Sequence, residues 1–96
     1  MFHKFTKREG EKVLAVADRD LVGEVLSRDG KEFEIKESFY GREEISEEEL
    51  VELSSKSTIV NAVGDRCVSV LVENDVIEED KILEIEGVPH AQMVEF

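Results

Sequence analysis

Tryptophan is absent from this 96-residue chain, and cysteine, proline and tyrosine occur once each. A lone Cys67 excludes an intrachain disulfide and a four-thiolate zinc site within one chain. With Pro89 as the only proline and no Ser-rich tract, no linker divides the sequence, so residues 1–96 read as a single domain. No window approaches the roughly 18 apolar residues of a membrane span. The first dozen residues hold Lys4, Lys7, Arg8, Glu9, Glu11 and Lys12, unlike a signal peptide, so the expected location is the cytoplasm. Amides are scarce too: Asn61, Asn74 and Gln92 are all there are.

Cations are outnumbered, 12 against 24 acids, for a net charge of −12. Such a field opposes approach to nucleic-acid backbones and to anionic membranes. Its ordinary use is a solvated, soluble surface. Abundant Glu with few Asn, Gln and Cys also suits a heat-adapted source.

The patterning alternates between strand and helix signals. Phe2–Arg8 and the apolar run Val13–Ala17 flank a turn at Glu9-Gly10-Glu11 and read as a hairpin. Asp29-Gly30 suits a two-residue turn between Val22–Arg28 and Lys31–Lys36, where Phe33 and Ile35 alternate with charged residues. Ser46 and Glu49 form a capping box, with Ile45 and Leu50 placed as a hydrophobic staple, so a helix should run from Glu47 to Ser54. Ile59, Val63, Cys67 and Leu71 recur every four residues. That stripe predicts a second helix from Thr58 to Glu73, with Asn74 left-handed at its end. The rival is a turn at Gly64-Asp65 and a strand carrying Val68, Val70 and Val72. Ile82–Glu86 and His90–Phe96 read as two further strands, with Pro89 at a strand start, edge or bulge. The expected fold is α+β: a mostly antiparallel sheet of about six strands with two helices on one side.

Little of this carries chemistry. His3 and His90 lack metal-ligand spacing, and Cys67 falls on the core stripe, so neither a metal, a cofactor nor a nucleophile is expected. The glycines are scattered, matching no phosphate loop or dinucleotide fingerprint. Two segments combine polar, glycine and aromatic character: Ser38-Phe39-Tyr40-Gly41 and Gly87-Val88-Pro89-His90-Ala91-Gln92. His90 and Gln92, two residues apart, would share a strand face. Asn61 is unfavourable inside a helix, and Gly64 one turn later allows close approach of another backbone. The structural alternative is that these groups tie down loop backbone.

These residues carry a resemblance. Phe39-Tyr40-Gly41, Thr58-Ile59-Val60-Asn61-Ala62-Val63-Gly64 and above all Gly87–Gln92 resemble the uncharacterised, mainly archaeal family known as domain of unknown function 424. Asn74 departs from it, standing where a glycine would close the helix. The resemblance implies an archaeal source, a small α+β fold and a helix over Thr58–Glu73, and it implies no activity.

Three readings follow. One is a non-catalytic binding module for a protein or ribonucleoprotein, with Lys4, Lys7, Arg8 and Lys12 as the basic strip that RNA contact would need. The second is a small-molecule binder or enzyme whose site gathers Tyr40, Gly41, Asn61, Gly64, Pro89, His90 and Gln92. The third is a homodimer formed through an edge strand. Convergence of His90 with Asn61 is the feature that keeps the second alive.

Overall fold

Three two-residue turns, Glu9-Gly10, Asp29-Gly30 and Glu86-Gly87, set the local order of the strands. Both residues of each turn have positive φ, the conformation that matches the twist of a tight hairpin. The first joins β1 (Phe2–Arg8) to β2 (Glu11–Ala17), the second β3 (Val25–Arg28) to β4 (Lys31–Glu34), and the third β7 (Leu83–Ile85) to β8 (Val88–Val94). Between the second and third hairpins come α1 (Glu37–Tyr40), β5 (Glu43–Glu44), α2 (Glu47–Ser55), β6 (Ile59–Val63) and α3 (Asp65–Glu73). The computed structural model describes residues 1–95. Position 96, the expected end of the last strand, lies outside them. No helix among the described residues is long and apolar enough to cross a membrane.

The α+β fold holds, with a six-stranded sheet in the order β5-β1-β2-β6-β8-β7. Its neighbours pair antiparallel except β2 and β6, which run parallel. The membership differs from the sequence reading. β3 and β4 form a separate two-stranded ribbon, and β5 and β6 take their places in the main sheet.

The sheet has two unlike faces. Leu14, Val16, Val60, Ala62 and Ala91 point to one, where α2 and α3 close the main core with Leu50, Cys67, Val68 and Leu71. Ala17 and Val63 point to the other, where Ile35, Leu21, Leu26 and Tyr40 cover one end. The α2 cap is as read: Ser46 Oγ accepts from the Glu49 N–H, and the Glu49 carboxylate accepts from the Ser46 N–H, both at 3.1 Å. Ile45 and Leu50 are both buried beneath it.

The expected helix over Thr58–Glu73 is half strand. Ile59–Val63 is β6, between β2 and β8, and the helix starts only at Asp65. The alternative of a strand after Gly64 fails as well. The reason is a cap from elsewhere in the chain. Asp18, just past β2, accepts the backbone N–H of Arg66 on Oδ2 and of Cys67 on Oδ1, both at 3.0 Å. Gly64 has φ +115°, and a Cβ there would fall 2.3 Å from Asp18 Cγ. At the other end Asn74 is not left-handed. That role passes to Asp75, at φ +60°, and the Val76 N–H returns to the Leu71 carbonyl at 2.9 Å.

Candidate functional site

Strand alternation places three of the singled-out polar residues together. Asn61 on β6 stands directly opposite Gln92 on β8, and Val63 opposite His90. Asn61, His90 and Gln92 therefore share the face turned away from α2 and α3. Leu83 of β7 pairs with His90 on the same face. Tyr40 reaches in from α1, and with Lys81 the group lines a shallow cavity of about 250 Å³. Polar side chains elsewhere are fastened to backbone, as Ser57 Oγ to the Leu53 carbonyl and Asn74 Nδ2 to the Val70 carbonyl. No such bond ties Asn61 or Gln92 among the described residues. The structural role anticipated for these amides is thus not what holds the loops.

Burial sets the protonation of the two ring groups. It holds the His90 imidazole below its ordinary pKa, so the ring is neutral near pH 7. Its Nε2 is shielded and lacks a hydrogen-bond partner among the described residues. Burial raises Tyr40, with a smaller contribution from the nearby Cys67 sulfur, so its hydroxyl stays protonated.

A second cavity of about 290 Å³ adjoins the first across β2, since Ala15 of its lining is the register partner of Asn61. Lys4, Thr6 and Arg8 of β1 line it, with Phe39 of α1 above them. Lys4 Nζ donates to the Ser38 carbonyl at 3.0 Å. The Phe39 ring is 43% exposed and stands edge-on to Tyr40, centroids 4.9 Å apart, on the boundary between the cavities. The expected basic strip is divided by the pleat: Lys4 and Arg8 face these cavities, while Lys7 and Lys12, paired with each other, face the opposite side.

The remaining candidates serve the fold. Gly41 ends α1, and a Cβ there would lie 2.6 Å from the His3 carbonyl oxygen. Gly64 admits the Asp18 cap, which is a side chain rather than the expected backbone. Pro89, second residue of β8, is buried on the helical face, and its carbonyl accepts the Gly64 N–H at 2.9 Å. Cys67 is buried, its thiol pKa raised by burial and by Asp18, and it donates to the Val63 carbonyl at 2.9 Å. Burial and Asp18 both disfavour the thiolate form that a nucleophile needs. No group of three His, Cys, Asp or Glu that could hold a metal occurs among the described residues. Sequence reasoning missed Leu83 and Lys81 as neighbours of His90. Only the alternation of Leu83 with Glu84 signalled a sided strand, without saying which side was open.

The family model described as "Protein of unknown function (DUF424)" matches residues 5–96. The chain is also similar to an uncharacterised conserved protein from the archaeon Methanopyrus kandleri, known from its crystal structure. The two share 30% identity with a TM-score of 0.81, over 96% of this chain and 88% of that one. Among curated proteins, none matches.

Proposed function

From a chain that belongs to the DUF424 family, whose description assigns no activity, we propose a non-catalytic binding module that holds a partner macromolecule on the open half of its sheet. The observation that carries this is the pair of bare amides, Asn61 and Gln92, side by side on an uncovered face. Around them stand three large apolar side chains that the fold leaves in water: Leu83, Val94 and Phe39, each more than 40% exposed. Exposed apolar side chains clustered beside polar groups with no bond of their own support an interaction surface over a plain scaffold face.

Catalysis finds less support. The cavity at Asn61 is smaller than the roughly 300–1,000 Å³ of most small-molecule sites. No activated nucleophile lies beside His90 among the described residues. A small-molecule reading keeps one argument, the convergence of Tyr40, Asn61, His90 and Gln92. A ligand screen by thermal shift addresses it, since a ligand of the native state raises its apparent stability. Pairing with a second copy through the outer edge of β1 is opposed by Lys4, Lys7 and Arg8, because cations along an edge repel a like edge.

The test is affinity capture from an archaeal extract, analysed for both protein and RNA, with the chain compared to Asn61→Ala/Gln92→Ala and to Glu48→Ala on α2. A partner retained by the chain and by Glu48→Ala but lost by the double variant is expected. An identical set of partners on all three, or none on any, would dispose of the proposal.

A further inference from the structure

Resting on that reading, we propose that the occupant of the open half-face is single-stranded RNA, with bases against Phe39, Asn61 and Gln92 and phosphates against Lys4, Arg8 and Lys81.

Charge is the first argument. Acids make up 24 of 96 residues, yet neither cavity on this face has a carboxylate in its lining among the described residues, while each has a cation. Lys4 and Arg8 have no carboxylate within ion-pair distance among the described residues, a state they share with Lys7, Lys12, Lys31 and Lys36, whereas the five cations Arg19, Arg28, Arg42, Lys56 and Arg66 are paired elsewhere. Lys81 is paired with Glu78 at 3.5 Å, an exposed contact between neighbours three residues apart. Glu11, opposite Arg8, is engaged by the Thr58 hydroxyl at 2.7 Å. In a chain of net charge −12, two adjoining cavities each lined by a cation and by no carboxylate among the described residues point to an anionic ligand, although Glu11 stands beside Arg8 at their margin.

The uncharged groups select among anions. An amide side chain presents one donor and one acceptor in a plane, the arrangement that matches a base edge. An exposed aromatic ring offers a stacking surface that any base can use. The Tyr40 hydroxyl adds a group suited to a ribose 2′-OH, which both donates and accepts. An acidic peptide would satisfy the cations but leave the ring and the amides without matching chemistry. Size agrees. From β1 across β2 and β6 to β8 is three strand spacings, about 14 Å, and sheet faces of this width stack two or three bases.

The test is fluorescence anisotropy with a labelled 12-nucleotide single-stranded RNA of mixed sequence. Parallel arms use single-stranded DNA of the same sequence, the RNA duplex and a poly-Glu peptide. Three phosphate contacts give a slope of about −2 in log affinity against log salt, so binding should fall about twentyfold between 50 and 200 mM. Lys4→Ala/Arg8→Ala should flatten the slope to about −0.7, and Phe39→Ala should weaken binding about tenfold. The control is Lys7→Ala/Lys12→Ala, the same charge change on the other side of the same hairpin, which should leave slope and affinity near those of the unaltered chain. Thermal melts confirm that each variant is folded. The proposal is overturned by undetectable RNA binding at 50 mM salt, by equal losses in the two charge pairs, or by DNA, duplex or poly-Glu binding as tightly as the single-stranded RNA. Should RNA fail while extract capture still yields a protein that depends on Asn61 and Gln92, only the occupant is wrong. Should both fail, the docking reading fails with it.

Discussion

Replacing Asp18 with alanine would remove the N-terminal cap of α3 without touching the helix itself. Its two carboxylate oxygens accept the N–H groups of Arg66 and Cys67 at 3.0 Å, and the Cys67 bond is partly buried. Loss of an N-cap side chain costs about 0.5–2 kcal/mol, and a hydrogen bond to a charged group contributes roughly 1.5–3 kcal/mol. The two bonds share one carboxylate and one is exposed, so their contributions do not simply add. Losing the negative charge at the helix N-terminus removes a further 0.3–1 kcal/mol or so. Asp18→Ala should therefore cost about 2–3 kcal/mol. In urea that moves the unfolding midpoint down by about 1–2 M with an unchanged slope. In a thermal melt it is a fall of roughly 10–20 °C for a domain of this size. Asp18→Asn keeps one acceptor and should lose about half as much. A cost below about 0.5 kcal/mol for the alanine variant, or equal costs for alanine and asparagine, would refute the assignment of Asp18 as the cap.

Three further outcomes follow from the same geometry. Gly64→Ala should cost more than about 2 kcal/mol, because it combines positive φ with a Cβ inside contact distance of Asp18. Combined with Asp18→Ala its cost should be less than additive, since the contacts with Asp18 Cγ and Oδ2 at 2.3 and 2.5 Å are then gone while the 2.7 Å contact with the Cβ of residue 18 and the positive φ remain; strict additivity in urea melts would contradict this. Ser46→Ala should cost about 1 kcal/mol through loss of the capping box. The bonds from Ser46 hold the Glu49 carboxyl below its ordinary pKa of 4.5. That stabilisation is complete above pH 4.5 and fades as pH falls through the folded value; the larger bond, from the backbone N–H of residue 46, survives in Ser46→Ala, so the difference between the chain and the variant should narrow in strong acid only by the smaller side-chain part. His90 behaves in the opposite sense to a paired histidine. Burial lowers its folded pKa below 6.5, so the unfolded chain takes up the proton first. Its contribution is nil above about pH 6.5, and stability falls as pH drops from there to the folded pKa. Between pH 7.5 and 5.5 the chain should thus lose more stability than His90→Gln; equal losses would show that His90 does not titrate in this environment.

Legibility tracked how local the determinants are. The start of α2 could be read because its cap, Ser46, and its staple, Ile45 and Leu50, lie within five residues of one another. The start of α3 could not, because its cap is Asp18, brought by the end of β2 from far away in sequence. The predicted helix then began at Thr58, and the four-residue spacing of Ile59, Val63, Cys67 and Leu71 ran on through a strand–helix junction. β6 misled for a second reason. At its centre Val60 and Ala62 are buried on one face and Val63 on the other, so it shows no clean alternation. Strands covered on both faces read as continuous apolar runs, which a helix also produces. The site was half visible: His90 and Gln92 follow from the two-residue period, but the approach of Asn61 and Tyr40 depends on strand order.

That strand order also accounts for where the open surface lies. Parallel β2 and β6 need a crossover between them. Here it does not lie on one face. It passes β3, β4 and α1 on the side of Tyr40, pairs β5 with the outer edge of β1, and brings α2 to the other side before entering β6. Four residues of α1 span only about 6 Å, too little to cover the distance from β1 to β8, so the face of Asn61 and Gln92 is left bare. A bare position in a central strand favours a β-branched residue unless another demand overrides it. Asn61→Val is accordingly the substitution that separates the two explanations of this amide. No hydrogen bond of its side chain is lost among the described residues, and valine fits the pleat better. Stability in urea should hold or rise by up to about 1 kcal/mol, while capture of the partner is lost. This is the trade of stability for function expected of a binding residue. A loss of more than about 1 kcal/mol would instead make Asn61 part of the fold's own framework.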